Sequence, residues 1–203
     1  MSNDQPETAP KHDNHPLVSQ SSLADTASAT ITSALFRAAF RNHPGGVAVI
    51  TADAGDGPVG LTATSVISVS LEPPLIVFSV SEMSSSTPTI LRSETVVIHM
   101  LSVGQLDIAK LCSTSGIDRF ADTSIWSRLP TGEPYFPAAP AWIRGKIVST
   151  MAAGGSTVIA VQALDAVAPD PDAVGVIDQE AEQPLVYHNR TWHTLSEASK
   201  IQE

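Results

Sequence analysis

One cysteine, eleven basic residues and ten aromatic side chains in a chain of 203 residues leave several chemistries short of raw material. With Cys112 alone there is no internal disulfide, which fits a reducing compartment, and a thiol ending an apolar helical pattern reads as a small core residue. The formal net charge of −10 argues against nucleic acid or an anionic membrane as partner, since neither is drawn to an acidic surface. No apolar run approaches the roughly 18 residues of a membrane span, and the first 30 residues lack the basic-then-apolar order of an export signal. A cytoplasmic protein is therefore expected.

Several sites are also missing. No G-x-G-x-x-G follows a strand, so a doubly wound nucleotide site is not indicated. No G-x-S-x-G occurs, and Cys112 has no nearby base. His43, His99, His188 and His193 are scattered, so no metal-ligand spacing stands out. His12 and His15 are three apart, but they sit in residues 1–30, a Ser-, Asp- and Pro-rich stretch too polar to order itself. That stretch is expected to be a disordered tail before one domain over residues 31–196, with residues 197–203 a short C-terminal tail.

Within the domain the pattern is mostly strand. Thr32 or Ser33 caps a helix that aligns Leu35, Phe36, Ala39 and Phe40 on one face, and His43-Pro-Gly-Gly46 ends it, the glycines being free to take positive φ. Strands are expected over Val47–Ala52 and over a long β-branched run from Val59 to the double proline at Pro74, with a hairpin loop at 53–58 between them. Further strands follow at Leu75–Val80, Thr95–Leu101, Trp142–Thr150, Val158–Ala168 and a closing pair over Leu185–Leu195. Short helices are expected at Thr87–Ser93 and Gly104–Leu111, the latter turning Leu106, Ala109 and Lys110 inward. Residues 169–182 are expected to be an acidic loop. Many hairpin-joined strands and few helices indicate a mainly β fold, an antiparallel barrel with short capping helices.

Two hydroxyl clusters stand out against this background. Thr62-Ala-Thr-Ser65 lies on the long strand, and Ser84-Ser-Ser-Thr87 lies just before Pro88. Hydroxyls and backbone N–H groups suit a phosphate, although for the second cluster taken alone a plain helix cap is the simpler reading. Joined by a buried strand, the two clusters can converge on one flat, anionic ligand.

In order and combination the segments Phe36–Thr51, Gly60–Ser65, Ser68–Leu75, Ser84–Thr87, Asp118-Arg-Phe-Ala-Asp122 and Leu185-Val-Tyr-His188 resemble the flavin reductase-like family, the short-chain reductase component of two-component monooxygenases. The resemblance implies an FMN-binding split barrel, dimeric, with flavin sites at the subunit interface. It implies NADH- or NADPH-dependent reduction of FMN, with FAD as the alternative flavin, for a partner monooxygenase. Thr62, Ala63, Thr64 and Ser65 would border the flavin ring, Ser79 would lie near its edge, and Ser84, Ser85, Ser86 and Thr87 would hold the phosphate. Phe120 would stack on the flavin or serve the core. The family usually has Gly-Asp-His-Thr where this chain has Gly154-Gly-Ser-Thr157, so Ser156 stands where a histidine associated with nicotinamide is usual. Ser156 and His188 are the nicotinamide-side candidates, and no side chain is assigned as a catalytic acid or base, because hydride transfer needs none. A flavin carrier, or a barrel enzyme that keeps its flavin and serves another acceptor, are the competing readings.

Overall fold

The computed structural model describes residues 30–169 and 183–202. The stretch assigned as a tail and most of the acidic loop, together with His12 and His15, lie outside the described residues. The chain divides into a unit ending at Ala39 and a larger one from Phe40 onward. Helix α1 (Ser33–Phe40) begins as its sequence suggests, with the Thr32 hydroxyl accepting the Leu35 N–H at 3.2 Å.

From Phe40 the protein is an antiparallel β structure. A seven-stranded sheet has the order β3 (Val59–Ala63), β2 (Ala48–Ala52), β6 (Thr95–Met100), β9 (Ala141–Ala152), β10 (Ser156–Val167), β5 (Pro74–Ser81) and β4 (Ile67–Leu71). Its two edge strands, β3 and β4, follow each other in sequence with only Thr64, Ser65 and Val66 between them. Three residues reach roughly 10–14 Å at full extension, so the sheet has to curl until its edges nearly meet. That constraint makes it a barrel.

The single long strand expected over Val59–Leu71 is therefore two strands with a corner. β-Branching made the whole run look extended, but the corner residues leave the ladder and bond across the seam. Other strand expectations hold closely, including the closing hairpin of β11 (Leu185–His188) and β12 (Thr191–Thr194), which joins β1 (Gly45–Gly46) in a three-stranded sheet. Asn189 and Arg190 turn that hairpin with φ of 47° and 64°. Gly45 and Gly46 do not take positive φ as the turn chemistry suggested; both lie in strand β1.

The core has two layers. Inside the barrel, Ile50, Phe78, Ile98, Ile159 and Val161 are fully buried. On the outer face of β2, Val49, Leu101, Phe120 and Phe136 pack with Ile108, Ala109 and Cys112 of helix α3 (Leu106–Ser113). The helix thus turns Ile108, Ala109 and Cys112 inward, while Lys110, which the sequence pattern placed with Ala109, is exposed. Cys112 is buried, and burial pushes its thiol up to about 12, which makes it inert as a nucleophile. β2 is buried at every position because both layers need it.

His99 ties these layers together. Its ring is fully buried, with Nδ1–H donating to the Val49 carbonyl at 2.9 Å and Nε2 accepting the Phe136 N–H at 3.1 Å. Both bonds are satisfied by the neutral ring. Nearby Glu133 is buried among polar partners. Burial pushes its carboxyl up, but bonds from Thr131, Thr95 and Arg144 outweigh that and hold it below the ordinary range.

Burial lowers the His99 pKa from 6.5 to about 4, against a smaller opposing effect of the Val49 bond. The unfolded chain thus takes up a proton first as pH falls. The stabilisation is complete above pH 6.5 and is lost progressively as the pH drops toward about 4. At ~1.4 kcal/mol per pH decade the loss approaches about 3 kcal/mol. Urea unfolding from pH 7.5 to 4 should show this decline, with the His99 ring still neutral by NMR at pH 5. A ring that titrates near its ordinary value, with flat stability across that range, would contradict the assignment.

Candidate functional site

The corner between β3 and β4 is held by one hydroxyl. Ser65 Oγ accepts the Ser79 N–H at 3.0 Å and lies 3.3 Å from the Ser79 carbonyl, to which it donates. β3 is thereby fastened to β5 without a continuous ladder, and the incomplete seam leaves a cleft of about 320 Å³. Leu61, Thr62, Ala63, Thr64 and Ser65 line one wall; Ser79, Val80, Ser81, Ser84 and Ser156 line the other. Alternation along β5 sends Ile76, Phe78 and Val80 into the core and turns Ser79 and Ser81 the other way. Ser156 arrives opposite Ser81 because β10 pairs there with β5.

The two hydroxyl clusters thus meet in space, together with Ser79 and Ser156. Their hydroxyls are not equivalent. Thr62 Oγ1 donates to the Ala109 carbonyl at 2.7 Å, which fixes β3 to α3, and Ser65 serves the seam. The hydroxyls of Thr64, Ser79, Ser84 and Ser156 donate to no group among the described residues, so they can donate to a ligand.

The serine cluster splits in the same way. Ser84 lines the cleft and Ser85 is exposed. Ser86 is buried, donating to the Gly60 carbonyl at 2.9 Å and accepting from Arg119 Nη1 at 3.2 Å. Thr87 Oγ1 donates to the Ser81 carbonyl at 2.6 Å. Both are part of the scaffold, and helix α2 (Thr87–Arg92) makes no side-chain cap bond with Ser86. Phe120 does not line the cleft. It stacks on Phe136 at 5.7 Å and meets Trp126 edge-on at 5.1 Å beneath Gly60, where even a β-carbon would sit 3.4 Å from its ring. His188 lies on β11 beside His193, away from the cleft lining.

Sequence reasoning missed three contributors. Ser81 and Arg119 lacked a distinguishing pattern, although Arg119 lies within the Asp118–Asp122 segment. The Arg119 guanidinium donates to Ser86 and, at 2.7 Å, to the Thr114 carbonyl, while its buried Nε has no partner among the described residues. It brings a positive charge to the back of the serine cluster. Gly45 is the third. A β-carbon there would fall 2.9 Å from Thr64 Cβ, so glycine is needed for close approach to the corner.

Chemically, the cleft offers an apolar floor, a rim of donor hydroxyls and a cation behind one end. Those features suit a planar ring with a phosphate tail. Among the described residues no helix is long and apolar enough to cross a membrane.

The chain is similar to known proteins over most of its length. The profile of the flavin reductase like domain matches residues 40–196. An NADH:FMN oxidoreductase of Rhodococcus erythropolis is 42% identical over 158 residues, covering 78% of this chain and 79% of the relative. An NADH:riboflavin 5′-phosphate oxidoreductase of Streptomyces pristinaespiralis is 31% identical over 160 residues, 78% of this chain and 86% of the relative. The crystal structure of a flavin reductase domain protein from Arthrobacter sp. FB24 superposes with a TM-score of 0.72 at 28% identity, over 81% of this chain and 96% of that one. BorF, the flavin reductase component of a bacterial two-component tryptophan halogenase, gives 0.68 at 27% identity, over 81% and 98%.

The division of labour among the serines can be tested by stability alone. Ser86→Ala strands the Gly60 carbonyl and Arg119 Nη1, and should cost about 1–3 kcal/mol. Ser85→Ala, at an exposed position, should stay within about 0.5 kcal/mol of the parent. Equal costs in urea unfolding would show that Ser86 is not part of the scaffold.

Proposed function

This chain belongs to the flavin reductase-like family, and on that footing we propose that it is an NADH-dependent FMN reductase that supplies reduced flavin to a partner monooxygenase. The observation that carries this reading is the convergence of Thr62–Ser65, Ser79, Ser84 and Ser156 on one seam cleft. The segment from Thr62 to Ser65 borders the flavin ring. Ala63 keeps its methyl in the core, so the ring meets mostly backbone and the small Thr64 side chain. Ser84, backed by the Arg119 charge, receives the phosphate.

When bound, the flavin accepts a hydride from the nicotinamide and carries the electrons onward. The protein's own residues position both molecules and hold no proton for the transfer. Ser156, at the wall opposite Thr64, can donate a hydrogen bond to the nicotinamide carboxamide without the bulk or charge of an imidazole. His188 enters this account only through a second subunit.

That second subunit has a place to dock. On edge strand β4, Ile67, Val69 and Leu71 are all at least half exposed, and a register shift between Ser68 and Ser70 interrupts the strand's alternation. Met151 and Val148 of β9 and Leu164 of β10 are also about half exposed or more. An apolar strand edge left bare invites pairing and aggregation unless it is covered. A second copy on this side, adjoining Ser65 and Ser79, would wall the cleft and make it a shared site. Ile67→Asp with Val69→Asp should therefore give a monomer by light scattering and weaken FMN by about tenfold or more, the consequence of losing roughly 1.4 kcal/mol of ligand contact. A monomeric parent protein would overturn this.

The function is tested by mixing protein, FMN and excess NADH without oxygen. The oxidised flavin absorbance should bleach much faster than in buffer, and Ser84→Ala should weaken FMN by about tenfold while barely affecting riboflavin, since a bond to a charged group is worth roughly 1.5–3 kcal/mol. Tight FMN binding with no acceleration would instead support a flavin carrier, a reading favoured by Ser156 in the place of histidine.

A further inference from the structure

One apolar side chain at the cleft mouth has no role in the fold. Met83 is 92% exposed, yet its backbone lies in a hydrogen-bonded turn. Its N–H donates to Ser81 Oγ at 3.2 Å, and the Ser84 N–H donates to the Ser81 carbonyl at 3.1 Å. The Glu82 N–H donates to the Gly155 carbonyl at 3.1 Å, which fastens the turn to the β9–β10 hairpin. Thr87 Oγ1 locks the Ser81 carbonyl from the other side. A fixed turn therefore presents a flexible thioether to solvent between two residues, Ser81 and Ser84, that line the cleft.

Its neighbours make this a surface for a second ring. Gly154 and Gly155 leave the hairpin backbone bare, with no atom within 4 Å of where a β-carbon would stand at either position. Bare peptide and a thioether are both polarisable groups of the kind that purine rings cover. The Glu82 carboxylate is exposed beside it and makes no ion pair among the described residues. A carboxylate there can accept from ribose hydroxyls and repels an additional phosphate.

We propose that Glu82, Met83 and Gly155 form an adenosine-binding surface for the dinucleotide, with Met83 against the adenine and Glu82 on the ribose. The position follows from the cleft itself. A phosphate at Ser84 is followed within one residue by this turn, and the other end of the cleft is occupied by the corner at Thr64–Val66. FMN ends at its phosphate and leaves the surface bare, whereas FAD and NADH each carry an adenosine that can cover it. The inference rests on the flavin reductase reading, and the substituted side chains are exposed, so the variants keep the fold.

The test compares ligands with and without adenosine on the full-length protein. Met83→Ala should raise either the Kd of FAD or the KM of NADH by about three- to tenfold, the range of a thioether–ring contact with its apolar area. FMN affinity, turnover with reduced nicotinamide mononucleotide, and kcat should stay within about twofold, and Met83→Leu should retain most of the parent behaviour. A change confined to FAD assigns the surface to the flavin, and one confined to NADH assigns it to the hydride donor; both support the proposal. Glu82→Gln should narrow the preference for NADH over NADPH, and an unmoved ratio removes Glu82 from the surface. The proposal is overturned if neither adenosine-bearing ligand responds to Met83→Ala, or if FMN and reduced nicotinamide mononucleotide lose as much. Failure of the parent reading is separately visible, as absence of FMN binding and NADH oxidation in the unsubstituted protein.

Discussion

Ser65 holds together two strands that the sheet itself does not pair. Its hydroxyl bonds both polar groups of the Ser79 peptide, at the point where the first edge of the seven-stranded sheet comes back against β5. A complete ladder at this seam would close the barrel and fill the space with backbone. A single hydroxyl closes it while leaving a cleft, and every other feature of the site follows from that gap. The sheet must curl because only three residues join β3 to β4. It must stay split because those three residues, Thr64 to Val66, are outside the ladder.

The residues around the cleft divide between those that build it and those that face a ligand. Thr62, Ser65, Ser86 and Thr87 have their hydroxyls bonded to protein carbonyls. Thr64, Ser79, Ser84 and Ser156 do not, and these form the rim. Eight hydroxyls of similar appearance in sequence thus serve two purposes. In a site where the cofactors carry the chemistry, this arrangement supplies position and hydrogen bonds.

Apolar, β-branched runs made most strands legible from sequence, whether burial alternates along them, as in β5, or is continuous, as in β2 and the middle of β6. The hydroxyl clusters were legible too, as was the family resemblance they carry. Three things were not. β-Branched residues ran through the corner at Thr64–Val66, so nothing in the pattern marked the change of direction. Partners at long range decide which serine is free: Ser86 is spent on Gly60, 26 residues away, and local spacing does not encode that. Gly45 looked like a turn residue after His43-Pro44, whereas its small size serves Thr64 across the chain. Phe120 is the complementary case, an aromatic in a recognisable segment that the packing of Phe136 and Trp126 draws into the core.

The central claim is that the seam cleft is where the flavin lies. A crystal structure of the protein soaked with FMN tests it most directly. The account predicts the flavin ring along Thr62–Ser65, with its phosphate within hydrogen-bonding reach of Ser84 at the end backed by Arg119. Flavin density elsewhere on the molecule, or in the cleft with the phosphate directed toward the Thr64–Val66 corner, would contradict it.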